Sequence, residues 1–404
     1  MRTITNCRAC ESNKLIDVVD LGEQYLSDFR EDDTKPPKYP LEVVMCKECK
    51  LVQLRHTTPS HEMYHERYGF KSGVNDTIKN DLESIVKHAL MYKPKNGSWL
   101  DIASNDGTLL SFVPKGWHRE GTDPIGKLCK QAEAHADRIV NDFYKKENFE
   151  ENQFDVITSI SMFYDLDDPN KFVKEVRHAL KENGVWIIQQ NYLLTTLMLN
   201  AVDNICHEHL EYYSLLSLEN LLNRYDLEVN EVTTSMINGG SFRTVVSRKG
   251  TYPISPSVQA QRDMEKRFGL EKPSVYKRFG EIVKFQLAQL RDFVDEINGR
   301  GEEVYIYGAS TRGGTIWQGA GLDVNDLPKA VERNPEKVGK KIAAIGVPII
   351  SEEQAREEHP KYMLVSPWFF KEEFVKREAE YINTGGTLIF PLPLLELVGP
   401  DTKQ

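Results

Sequence analysis

The sequence predicts an α/β protein in three parts, and three observations carry that reading. Two Cys-x-x-Cys pairs, Cys7 with Cys10 and Cys46 with Cys49, stand in an N-terminal segment with short alternating apolar stretches. From residue 98 apolar strands alternate with amphipathic helices, the pattern of a parallel sheet covered on both faces. The alternation restarts at residue 303, after a long amphipathic helix, which predicts a second Rossmann-like unit. The expected divisions are 1–66, 67–250 and 251–404.

Length and charge agree with that plan. The chain has 404 residues, more than one hydrophobic core usually organises, and 40% of them are hydrophobic. A net charge of -10 offers no basic surface for nucleic acid or an anionic membrane. The opening residues lack an apolar signal region, and no later run approaches the roughly 20 apolar residues of a membrane span. The expectation is a cytoplasmic protein that can act as a monomer, although the sequence does not fix its oligomeric state.

Of the six cysteines only Cys129 and Cys206 stand outside the pairs, so the set does not read as a disulfide framework. Four thiolates around one ion complete a tetrahedral shell. The expected metal is therefore structural zinc, held by Cys7, Cys10, Cys46 and Cys49, with no open position for chemistry.

In the middle part strands are expected at 98–103, 121–123, 154–160 and 184–190, with helices near 109–112, 125–135 and 170–180. Residues 250–256, with a glycine and two prolines, read as a linker. The helix beyond it keeps Phe279, Val283, Leu287, Leu290, Val294 and Ile297 on one face, and Asn298 and Gly299 supply its stop.

The first strand of the middle part holds Asp101. Ala103, Ser104, Asn105, Asp106 and Gly107 then make a turn of small residues before a helix start, where backbone N–H groups are open to a ligand. Asp123 ends the next strand, where a carboxylate can accept both ribose hydroxyls of an adenosine. A dinucleotide pyrophosphate needs the closer approach of Gly-x-Gly-x-x-Gly and fits less well. The arrangement resembles the class I S-adenosylmethionine methyltransferases. That resemblance implies Asp101, Ser104, Asn105 and Gly107 around the amino-acid end of the donor, Asp123 on its ribose, and Asn141, Asp142 and Phe143 beside adenine. Ala103 stands where the family has its first glycine.

The run Cys206-His207-Glu208-His209-Leu210-Glu211-Tyr212-Tyr213 brings a base, an orienting carboxylate and two phenols within a few residues. Its spacing is not the His-Glu-x-x-His of a zinc protease. Taken with the paired cysteines, Tyr68-Gly-Phe-Lys71, Asn238-Gly-Gly-Ser-Phe-Arg243, Tyr307-Gly-Ala-Ser-Thr-Arg312 and Asn334-Pro-Glu-Lys337, it resembles the sugar C-methyltransferases over nearly the full length. Representatives of that family are the dTDP-sugar 3-C-methyltransferases of deoxysugar pathways. The resemblance implies an acceptor that is a nucleotide-linked 4-keto-6-deoxy sugar, whose keto group acidifies the neighbouring C–H. His209 is the implied base, with Glu208 and His207 assisting and Tyr68 near the keto oxygen. Lys71, Tyr212, Tyr213, Asn238 and Arg243 are the implied sugar contacts, and Arg312, Glu332 and Lys337 those of the nucleotide. Cys206 and Tyr164 depart from the family, which often has tyrosine and histidine in those places. The alternatives are O-methylation of a related sugar, a nicotinamide-dependent oxidoreductase or epimerase, and a zinc-bearing scaffold.

Overall fold

The computed structural model describes residues 1–64 and 71–400. The N-terminal segment forms an antiparallel sheet of Leu15–Tyr25, Lys38–Cys46 and Val52–Leu54. A fourth strand, Glu211–Tyr212, comes from far along the chain and pairs with Val52–Leu54. Both cysteine pairs sit in matching turns. The N–H of Glu11 donates to the Cys7 carbonyl and that of Lys50 to the Cys46 carbonyl, and both donors have a left-handed backbone, φ 62° and 63°.

The middle part is a seven-stranded sheet. Its spatial order is Leu227–Ser235, Ser241–Arg248, Leu180–Asn191, Phe154–Ile160, Ser98–Ile102, His118–Thr122 and Arg138–Val140. The last five are parallel, and Ser241–Arg248 runs antiparallel to both neighbours. The chain moves outward from Ser98–Ile102 in one direction, then returns to lay Phe154–Ile160 on its other side. At such a switch point the loops diverge and leave a crevice beyond the strand ends. The expected helices appear as Thr108–Phe112, Gly126–Ala132 and Pro169–Ala179.

The C-terminal sheet has five parallel strands, in the order Thr387–Phe390, Tyr362–Val365, Val304–Tyr307, Ala330–Glu332 and Val347–Ser351. Antiparallel strands flank them, and the outermost is Phe29–Arg30 from the N-terminal segment. The three parts thus exchange strands, and one continuous core runs through them.

Residues 250–255 are non-helical, as a linker would be, but the single long helix expected after them needs correction. Two helices, Pro256–Phe268 and Pro273–Gly299, are separated by Gly269 at φ 89°. The first belongs to the middle part: buried Glu265 accepts from the N–H groups of Leu215 and Leu216 and from the Tyr192 hydroxyl. The second buries its predicted apolar face and lies on the N-terminal sheet, where a Cβ at Gly280 would stand 2.8 Å from the Val18 carbonyl oxygen.

Candidate active site

The four predicted metal ligands converge. Their sulfurs lie within 4.8 Å of one another, with Cys7 to Cys49 at 3.5 Å and Cys10 to Cys46 at 3.4 Å. A tetrahedron with zinc–sulfur bonds of about 2.3 Å has edges of nearly the same length, so the donor set fits zinc. Gln53 Nε2 donates to Cys7 Sγ at 3.2 Å, and Gln53 lies in the strand that pairs with Glu211. The cysteine cluster is thereby tied to the segment that follows His209.

Beyond the ends of the parallel strands lies a cavity of about 630 Å³. Ala103, Asn105, Asp123, Ile125 and Phe143 line it from the middle part, and residues from Thr57 to Tyr64 roof it from the N-terminal module. The turn beneath is left-handed at Ala103 (φ 58°), Asn105 (φ 52°) and Gly107 (φ 79°). Such backbone suits glycine, which is why a family glycine is expected at 103. Asp123 accepts the N–H of Asn105 and of Ile125, each at 2.9 Å. Each of its oxygens keeps a second lone pair for a ribose hydroxyl. Ser104 Oγ is buried with no partner among the described residues, and Asp101, held by the Thr158 hydroxyl at 2.6 Å, is pushed up to about 7 by burial. An orphan hydroxyl and a sequestered carboxyl suit the polar amino-acid end of the donor, and Phe143 at the wall suits the adenine.

A second cavity, of about 280 Å³, opens between the middle and C-terminal parts. Tyr164, Asn191, Cys206, Glu208, His209 and Asn238 line one side, and Thr311, Arg312, Lys337, Phe369 and Phe370 the other. Ser161 and Asp165 belong to the walls of both cavities. His209 Nδ1 lies 2.8 Å from the Asn204 carbonyl oxygen. A carbonyl only accepts, so the proton sits on Nδ1 and Nε2 is left with its lone pair. Burial, reinforced by the Arg312 cation, pushes His209 down to about 3, so the ring is neutral. Burial raises Glu208. Arg312 bonds Asp203 at 2.5 Å and the Asn238 carbonyl at 2.6 Å, and it packs over Phe369.

Comparison with known proteins agrees in the same order along the chain. Residues 7–64 match the family described as "Putative zinc binding domain", 75–232 "Methyltransferase domain" and 236–393 "C-methyltransferase C-terminal domain". The chain is 27% identical to C-methyltransferase NovU of Streptomyces niveus over 423 residues, covering 100% of this chain and 99% of the relative. The chain is an S-adenosylmethionine-dependent C-methyltransferase. Similar solved structures include the PH0226 protein of Pyrococcus horikoshii OT3, at 17% identity and TM-score 0.38, covering 45% of this chain and 95% of that one. Another is a SAM dependent methyltransferase of Aquifex aeolicus, at 16% identity and TM-score 0.32, covering 41% and 88%.

Within this methyltransferase the expected site residues separate into groups. Lys71, Asn238, Glu208, His209, Arg312 and Lys337 meet at the second cavity, and Asn105, Asp123 and Phe143 at the first. Asp101 and Ser104 line a small recess behind the first. Tyr68 lies outside the described residues. Other expectations are corrected by their surroundings. Arg243 is spent on Asp81 at 3.1 Å, Gln189 and Ser84, tying a strand to the helix Asp76–Tyr92. Gly107 touches neither cavity wall; it lets the turn pack on Ala132, whose Cα would be 2.7 Å from an added Cβ. Glu332 accepts the N–H groups of Ala309, Arg333 and Asn334, so it organises a loop. Asp142 faces Lys145. His207 bonds the Tyr39 carbonyl oxygen, and Tyr213 donates to Glu211; neither these two nor Tyr212 lines either cavity. Asp165, Ser161, Phe369 and Phe370 escaped the sequence reading, because nothing in their local spacing marks them.

Proposed function

We propose that the acceptor is a nucleotide-linked 4-keto-6-deoxy sugar, methylated at a carbon beside the ketone through an enolate. One observation carries the reading: the second cavity has a neutral imidazole at one side, cations at the other, and two residues in common with the donor cavity. His209 Nε2 takes the proton from the acidified C–H. Arg312 and Lys337 supply the positive charge that a diphosphate needs in an acidic protein. Lys337 is anchored on the Ala309 carbonyl at 2.7 Å, and burial lowers its pKa, so an arriving phosphate would find a poorly solvated cation. Phe369 and Phe370 offer apolar faces for sugar or base. The donor supplies an electrophilic methyl, and the enolate carbon takes it across the wall formed by Ser161 and Asp165. The Arg312 charge that adds to burial in depressing His209 is offset once a diphosphate binds, which returns part of the imidazole's basicity when substrate is present.

The test is incubation with nucleotide 4-ketohexoses in deuterated water, followed by mass spectrometry. The expected result is solvent deuterium beside the ketone without donor and a gained methyl with it. His209→Ala should slow the exchange by about 10²–10⁴-fold. Undiminished exchange in that variant would remove His209 from the role of base.

A further inference from the structure

The carboxyl of Asp165 has an unusual setting. It ends the short turn Phe163–Asp165, directly after the strand that creates the switch point, and it belongs to the walls of both cavities. Its Oδ2 accepts the Tyr64 hydroxyl at 3.0 Å. Its Oδ1 is buried and has no hydrogen-bond partner among the described residues. Among the described residues, the ionisable groups recorded against it are Tyr64 from the N-terminal module and Cys206, Glu208, Glu211 and Tyr212 from the segment around His209. None of these is a cation. Arg2 and Asp167 lie at the wall of the donor cavity, and Arg312 lines the acceptor cavity.

A methyl passing between the two cavities must pass the wall they share. The donor carries a full positive charge on sulfur before transfer and none after it. We propose that Asp165 is the counter-charge to the donor's sulfonium: a carboxyl protonated in the empty protein, which releases its proton to solvent as the sulfonium enters. The proposal rests on the donor occupying the larger cavity. Burial and the neighbouring Glu208 and Glu211 hold Asp165 well above the ordinary carboxylate range, consistent with a neutral group before the donor arrives. A cation entering the cavity beside this carboxyl favours its ionised form. The consequence is discrimination between donor and product. The sulfonium is held by a carboxylate, whereas neutral S-adenosylhomocysteine meets a carboxylic acid and gains nothing from it.

The measurement is calorimetric titration of the zinc-loaded protein near pH 7.5, in buffers of different ionisation enthalpy, with S-adenosylmethionine and with S-adenosylhomocysteine. Both ligands carry the same amino-acid end, so any proton released from Asp101 or from the ligand's ammonium is common to both. The difference between them isolates the sulfonium. The wild-type protein should release up to one more proton with the donor than with the product. Asp165→Asn, which keeps shape and hydrogen bonding, should abolish that difference and weaken donor binding by about tenfold or more, with product affinity unchanged within about twofold. An equal proton count for the two ligands in the wild type, or an unchanged difference in Asp165→Asn, overturns the proposal. Asp123→Asn separates the two levels: if it weakens neither ligand, the placement of the donor has failed. If it weakens both while Asp165→Asn changes nothing, only the counter-charge has failed.

Discussion

Gly107→Ala tests the donor turn most directly. Two costs add at this position. A side chain at φ 79° is in the left-handed region, which disfavours a residue with a Cβ by roughly 1–2 kcal/mol. The new Cβ would also stand 2.7 Å from the Cα and 3.0 Å from the Cβ of Ala132, backbone and methyl that cannot rotate away. Overpacking of that kind costs typically about 1–3 kcal/mol. The sum, about 2–5 kcal/mol, corresponds to a fall of at least ~4 °C in the melting temperature of a domain this size. Ala103→Gly provides the opposite sign in the same turn. It relieves a left-handed alanine at φ 58° and should raise the midpoint slightly, by an amount reduced by the greater freedom of glycine in the unfolded chain. The assay is thermal unfolding of the zinc-loaded, donor-free protein followed by circular dichroism. A Gly107→Ala midpoint within 1 °C, on the order of the error of such a comparison, or a lowered midpoint in Ala103→Gly, would refute the reasoning.

Further outcomes follow from the same contacts. Removing zinc should abolish donor binding together with activity, because the N-terminal module roofs the donor cavity and Gln53 links Cys7 to the strand beside Glu211. Metal analysis beside donor titration checks this, and metal-free protein with intact donor affinity would contradict it. Arg243→Ala leaves the half-buried Asp81 with only Gln189 donating to it among the described residues and should cost about 1–3 kcal/mol in denaturant unfolding, with the acceptor KM of the folded enzyme unchanged within about twofold. A large KM effect without a stability loss would restore Arg243 as a sugar contact. Burial pushes Glu211 up from 4.5 to about 8, so its contribution to stability is present below pH 4.5 and is lost as pH rises through 8. Glu211→Gln should therefore gain on the wild type over that interval, and parallel pH–stability curves would show Glu211 to be ionised in the fold. Burial pushes His209 down to about 3, so its stability contribution runs the other way, present above 6.5 and lost as pH falls toward 3. His209→Gln should flatten that acid limb in urea unfolding between pH 4 and pH 7; an unchanged slope would count against a neutral buried ring.

Much of this enzyme could be read along the chain because the signals are local. Thiolates at fixed spacing mark a metal clasp wherever the chain carries them, and strand–turn–helix alternation with Asp101 and Asp123 at strand ends marks a nucleoside site. The periodic face from Phe279 to Ile297 is buried as expected. Folding in three dimensions settled what depends on partners distant in sequence. Arg243 and Glu332 look like ligand contacts in isolation, yet each meets protein groups that consume its hydrogen bonds. The helix Pro256–Phe268, which follows the linker, joined the middle part because Glu265 found the N–H groups of Leu215 and Leu216, some 50 residues away. Asp165 has an ordinary neighbourhood in the chain, and only packing places it in the walls of two cavities. A residue's type and spacing limit which interactions it can make, but burial and the distance to partners set which of them it does make, and those come only from packing.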